Sequence, residues 1–137
     1  MANPAPGEKE YAMWAVRQVR ENSGVLEHPK NSKLWQHMQL PLPGWLPDEY
    51  GGYTIEINQY DFGHVASKPT WLYICGYNKL PAMPEHLDYT LAVKSITGSP
   101  PGVPYKKRCT QYEREHTPAA LIEWMVNLIS PRQDKVI

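Results

Sequence analysis

Residues 58–76 read Asn-Gln-Tyr-Asp-Phe-Gly-His-Val-Ala-Ser-Lys-Pro-Thr-Trp-Leu-Tyr-Ile-Cys-Gly, and the reading of this stretch decides the fold. Its second half, Trp71 to Cys75, is an unbroken apolar run closed by Gly76. Five such residues closed by a Gly fit a strand buried on both faces. Its first half is more particular: a Phe62-Gly63 turn, a lone His64, then Lys68-Pro69-Thr70. A core strand needs no such approach. These side chains are therefore candidates for a site, weighed against a histidine held by a turn carbonyl and a solvated lysine.

Upstream, Tyr53 to Asn58 alternates apolar and polar residues as a half-buried strand does. Before it, residues 40–52 hold three prolines and three glycines in thirteen positions, which forbids a regular element. Val25 to His28 form a short strand stopped by Pro29, and Asn31 or Ser32 caps a brief helix over 33–39. Tyr11, Ala12, Ala15, Val16 and Val19 recur at helical spacing over residues 9–22, with Gly24 as the expected stop. Residues 1–8 read as a loose tail.

Downstream, residues 77–116 form a long Pro-rich loop region, with a possible strand at 89–96. Thr117 as N-cap and Pro118 at the first position open a helix to Ile129. Its broad apolar face, with Trp124 and Met125 read as core, is expected to bury Leu121, Met125 and Leu128. The sum is a single α/β domain, 1–137: a small mixed β-sheet of about three core strands flanked by amphipathic helices.

Composition bounds the function. The 137 residues carry 14 basic and 14 acidic side chains, so bulk charge announces no nucleic-acid binder, and any such contact needs a local patch. Two cysteines, Cys75 and Cys109, make neither a disulfide framework nor a zinc spacing. No apolar run approaches the roughly 20 residues of a membrane span and no leader pattern opens the chain, so a cytoplasmic location is expected, with no membrane partner. Serine-nucleophile, phosphate-loop and dinucleotide motifs are all missing from the sequence. One local patch exists, Tyr105-Lys106-Lys107-Arg108 with Tyr112 and Arg114: either a solvated basic loop or a binding surface.

Two blocks, "GVLEHPKNSKLW" at 24–35 and "INQYDFGHVASKPTWLYICG" at 57–76, resemble consecutive blocks of the cytosine-5 DNA methyltransferases. With "REHTPAALIEWMVNLIS" at 114–130, the likeness spans roughly residues 8–130 and is to the C-terminal part of phage and prophage versions. The resemblance implies the C-terminal half of a Rossmann-like domain. It implies that Glu27 matches the Glu that holds a flipped cytosine, although His28 replaces the usual Asn. It also implies that Tyr60 to Gly63 match an aromatic-Gly turn, with Lys68 and Thr70 standing where a Gln-x-Arg-x-Arg stretch places its arginines. Lys and Thr lose the fork-like donors of that pair. The family's glycine-rich S-adenosylmethionine loop and its Pro-Cys nucleophile have no counterpart in these residues, and Cys109 falls in the wrong place to substitute.

The resemblance thus implies a chain with no cofactor of its own and no catalysis alone. Three functions are compatible with it. One is a non-catalytic binding protein that engages a bacterial nucleic-acid-handling or defence complex, as anti-CRISPR and anti-restriction proteins do, with DNA or RNA as possible contacts. Another is one subunit of a split methyltransferase, whose partner chain supplies S-adenosylmethionine and the cysteine, with Glu27 catalytic. The third is a remnant without a role. The apolar strand at 25–27, lacking its family neighbours, is expected to be a sheet edge open to a companion or a second copy. Incubated alone with labelled S-adenosylmethionine and DNA, the protein is expected to incorporate no label; measurable methylation by the single chain would overturn this reading.

Overall fold

A computed structural model describes residues 7–97 and 106–130. The chain forms two compact units, one made of Met1–Glu56 and Thr70–Lys79, the other of Ile57–Pro69 and Leu80–Ile137. The architecture is mixed α/β, with a three-stranded antiparallel sheet.

In the first unit, helix α1 (Glu8–Asn22) begins inside the expected tail, and Val16 and Val19 are buried on its apolar face. Ser23, with φ of 66°, ends it in place of Gly24. Strand β1 (Gly24–Pro29) follows, then α2 (Leu34–Met38), whose first N–H is taken by the Ser32 hydroxyl at 3.3 Å. Strands β2 (Tyr53–Asn58) and β3 (Pro69–Cys75) complete the sheet in the order β1-β3-β2.

β1 runs antiparallel to β3, from Gly24 opposite Cys75 to Pro29 opposite Thr70. The expected mixed sheet is corrected to an antiparallel one. Residues 59–68, which join β2 to β3, fall short of the dozen or more that a parallel crossover requires. β1 does lie at a sheet edge, where Pro29 costs no ladder bond.

The apolar run is buried throughout: Leu72, Tyr73 and Ile74 are wholly inaccessible. Strand alternation sends Trp71, Tyr73 and Cys75 to one face, where they pack with Val16, Val19, Leu34, Trp35 and Leu40. Burying Tyr73 requires partners for its hydroxyl. It donates to Asp48 Oδ2 at 2.5 Å and accepts from Arg20 Nε at 3.2 Å, while burial holds its pKa far above the ordinary tyrosine value. Asp48 Oδ1 accepts the N–H groups of Tyr50 and Gly52 at 2.9 and 2.8 Å. Gly52 must be glycine, because a Cβ there would stand 2.2 Å from the Tyr73 hydroxyl.

In the second unit, a 3₁₀ turn (Gln59–Phe62) leads from β2, and another spans Tyr89–Leu91. The possible strand at 89–96 is corrected to that turn plus the two residues of β4 (Lys94–Ser95). β4 pairs in parallel with β5 (Lys107–Arg108). Helix α3 (Gln111–Glu115) stands where only loop was expected, and α4 (Ala119–Ile129) follows.

Pro118, not Thr117, is the N-cap of α4; its carbonyl accepts from Leu121 and Ile122. The buried residues of α4 are Leu121, Trp124 and Leu128, as expected for these three, whereas the expected Met125 is corrected to half-buried. The stripe at 121, 124 and 128 leaves Met125 on its flank. Trp124 meets Phe62 edge-on at 6.4 Å and donates its indole N–H to Ala82 O at 3.2 Å. Leu121→Ala and Leu128→Ala are each expected to cost about 2–5 kcal/mol in urea unfolding, and Met125→Ala distinctly less. Equal costs at 121 and 125 would contradict this packing.

Candidate functional site

The segment before β3 is built by one side chain. Asn58 Oδ1 accepts the N–H groups of Tyr60 and Lys68, both at 2.9 Å, and its Nδ2 donates to Ser67 Oγ at 2.8 Å. Gln59 N–H donates to Lys68 O at 3.0 Å, closing the loop at its base. Within it His64, 4% exposed, accepts the Ala66 N–H on Nδ1 at 3.0 Å. A backbone N–H can only donate, so the proton lies on Nε2, which donates to Glu113 O at 2.8 Å. Burial lowers the His64 pKa and keeps the ring neutral. Lys68 Nζ donates to Arg114 O at 2.7 Å. Two sequence candidates, His64 and Lys68, thus converge on the last carbonyls of α3, which a helix leaves without intrahelical donors. They brace the fold.

The other end of α3 is equally tied. Thr110 Oγ1 accepts the Glu113 N–H at 3.1 Å and the Glu113 carboxylate accepts the Thr110 N–H at 3.0 Å, a reciprocal capping box. The spacing Thr-Gln-Tyr-Glu at 110–113 is its sequence signal, and it marks a helix that apolar periodicity missed. Lys94 Nζ also bonds the Glu113 carboxylate, and this bond is the main reason that its pKa is pulled down to about 2.

The basic segment divides in two. Lys106 Nζ donates to the carbonyls of Thr90 at 2.8 Å and Tyr89 at 3.3 Å. Lys107 and Arg108, the two residues of β5, are exposed. Tyr112 is 75% exposed, and its ring stacks on His116 at 5.6 Å with 27° between planes. Arg114 is half-buried, and Tyr105 lies outside the described residues. An exposed basic strand followed at once by an exposed aromatic stack is a surface able to meet anionic groups and flat rings.

Sequence reading also missed Asp61. Its side chain, 4% exposed, accepts the Tyr89 hydroxyl at 2.7 Å, the Leu87 N–H at 2.9 Å and His86 Nδ1 at 3.1 Å. Burial, then this carboxylate, pushes the Tyr89 hydroxyl up to about 12. A carboxylate within an aromatic turn gives no local signal that a segment 26 residues on will close over it.

In the first unit, Glu27 sits mid-strand opposite Leu72, and Thr70, wholly buried, sits opposite Pro29. Alternation puts Glu27 and Thr70 on the same face, as diagonal neighbours. His28 points to the other face, its ring 6.1 Å from Trp35 and its Nδ1 3.1 Å from Ser32 Oγ; burial lowers its pKa. Cys75 and Cys109 are buried, and burial raises both thiols, the opposite of what a nucleophile needs. Among the described residues no three His, Cys, Asp or Glu side chains gather as a metal site.

No family model matches the sequence, and neither a curated protein nor a solved structure matches the chain.

The two histidines set a pH dependence. Their folded pKa values lie below the ordinary 6.5, so the unfolded chain takes up protons first as the pH falls. Their contribution to stability is full above about pH 6.5 and is lost as acid is added below it. His64→Gln is expected to flatten this slope without abolishing it, because His28 remains. Urea unfolding measured from neutral pH downward checks the sign; stability rising below pH 6.5 would reject it.

Proposed function

We propose that this chain is a non-catalytic binding protein of phage or prophage type. Its partner is a bacterial nucleic-acid-handling or defence complex, engaged through the surface formed by Lys107, Arg108 and Tyr112. The observation that carries the reading is a contrast among the candidate residues. His64, Lys68 and Lys106 direct their polar heads at backbone carbonyls, whereas Lys107, Arg108 and Tyr112 are exposed. Arg and Tyr on a well-braced surface are the residue types that dominate binding energy. Neutral His64 with both ring nitrogens engaged, and raised thiols at Cys75 and Cys109, favour a binder over a catalyst.

A second reading keeps a specific support. Glu27, half-buried on the edge strand β1, shares one face of the β1–β3 pair with the wholly buried Thr70, so of the two it is Glu27 that could meet a base. This is the split cytosine-5 methyltransferase, in which a partner chain brings S-adenosylmethionine and the cysteine. The antiparallel pairing of β1 on β3 is not the arrangement of a parallel doubly wound sheet, so the Rossmann-like likeness rests on residues alone. In a reconstituted split enzyme Glu27→Gln would lower turnover by orders of magnitude while leaving assembly intact.

The binding reading is tested with Lys107→Ala, Arg108→Ala and Tyr112→Ala combined, since each is exposed and its loss leaves the fold intact. Affinity is measured across salt for DNA, RNA and purified CRISPR effector or restriction complexes. A protein partner gripped by the aromatic predicts a shallow salt response and a loss of more than about tenfold in the triple variant. Direct phosphate contact predicts instead a steep slope, nearly one unit per phosphate neutralised on duplex DNA. Undiminished binding of every partner by the triple variant would place the active surface elsewhere.

A further inference from the structure

The loop between α2 and β2 exposes more apolar surface than any folding role explains. Trp45 is 63% exposed and Leu46 88%, side by side at its tip. Large side chains left in water usually sit on mobile segments, but this loop is braced at both ends. Leu40 is buried and donates its N–H to Trp35 O at 2.9 Å. Pro43 and Gly44, with φ of +84° at Gly44 and Trp45 N–H on Leu42 O at 3.0 Å, form a type II turn that sets the direction of Trp45. Beyond the tip, Pro47 leads into Asp48, whose carboxylate is locked by Tyr73, Tyr50 and Gly52. Ordering such a loop on binding costs little, because it is already ordered.

Beside the tip lies a hollow of about 350 Å³, lined by Asn31, Lys33, Trp35, Gln36, Leu42 and Trp71. Its lining joins two indoles and a leucine, Trp35, Trp71 and Leu42, with the side-chain amides of Asn31 and Gln36, which can accept an indole N–H. That volume is at the small end of ligand pockets, roughly 300–1,000 Å³, a size suited to one aromatic side chain. Leu42 belongs both to the wall of the hollow and to the turn that presents Trp45. Trp45 of the same chain is exposed and does not line the hollow, whereas an identical copy can supply a Trp45 to it. Charge agrees: exposed Glu49 follows the tip, and exposed Lys33 stands on the rim.

We propose that this face is an isologous dimer interface, in which Trp45 of each copy enters the hollow of the other and Leu46 packs beside its mouth. A self-complementary patch that holds both knob and hole satisfies twofold symmetry, since each contact is made twice. Glu49 of one copy then meets Lys33 of the other at the rim, which fixes the register more than it adds affinity. The proposed contact uses no side chain of β1 and none of Lys107, Arg108 and Tyr112.

The test is sedimentation velocity of the full chain from micromolar to the highest soluble concentration. The parent is expected to pass from monomer to dimer. Trp45→Ala is expected to weaken the dimer by more than about tenfold while melting as the parent monomer does. Trp14→Ala, which removes an exposed Trp from α1, is expected to leave it unchanged. Lys33→Glu and Glu49→Lys are each expected to weaken association, and the double exchange to restore it. A parent that stays monomeric throughout overturns the proposal. So does a dimer indifferent to Trp45→Ala, or a double exchange no better than the singles.

Discussion

The Tyr73 hydroxyl is the constraint around which the first unit is arranged. A tyrosine at the centre of a fully buried strand brings a polar atom to where water cannot follow. Arg20 from α1 and Asp48 from the loop between α2 and β2 answer it. Arg20 also lies over the Tyr50 ring at 4.1 Å and 3.7 Å from the Asp48 carboxylate. One buried oxygen therefore fixes the helix against the strand, stiffens a loop rich in proline, and forbids a side chain at position 52. The turn at Pro43 and Gly44 aims the exposed Trp45, and that anchor holds the far end of the same loop.

The second unit is governed by the same rule applied to backbone. Short helix α3 has little packing of its own, and none of its residues is buried. It persists because both ends are closed by side chains: the capping box at Thr110 and Glu113, and His64 and Lys68 at its final carbonyls. Residues that look like chemistry in isolation are doing the work of caps. Their engagement is what separates them from Lys107, Arg108 and Tyr112, whose side chains are exposed.

Much of this was legible in the chain. The run at 71–75 announced a buried strand because its hydrophobicity is continuous, and Leu121 and Leu128 announced the face of α4 because their spacing is helical. Thr110 and Glu113 carried a capping signature that periodicity alone does not register, since α3 has no apolar stripe. The choice of Trp124 over Met125 turned on where the helix axis lies, and a stripe read from sequence is wider than the one that is buried.

What the sequence by itself determined were the elements that depend on neighbours within a few residues: strand and helix periods, proline stops, glycine turns, and the exposure of a neutral, mixed-charge surface. Only the tertiary structure decided which polar side chains are spent. His64 and Glu113 are 49 residues apart, Lys68 and Arg114 46, and Tyr73 and Arg20 53. The sheet direction belongs to the same class, because the pairing of β1 with β3 joins residues more than forty positions apart. A residue's type states which bonds it can make, but whether it is left over for a partner depends on which distant groups burial forces upon it.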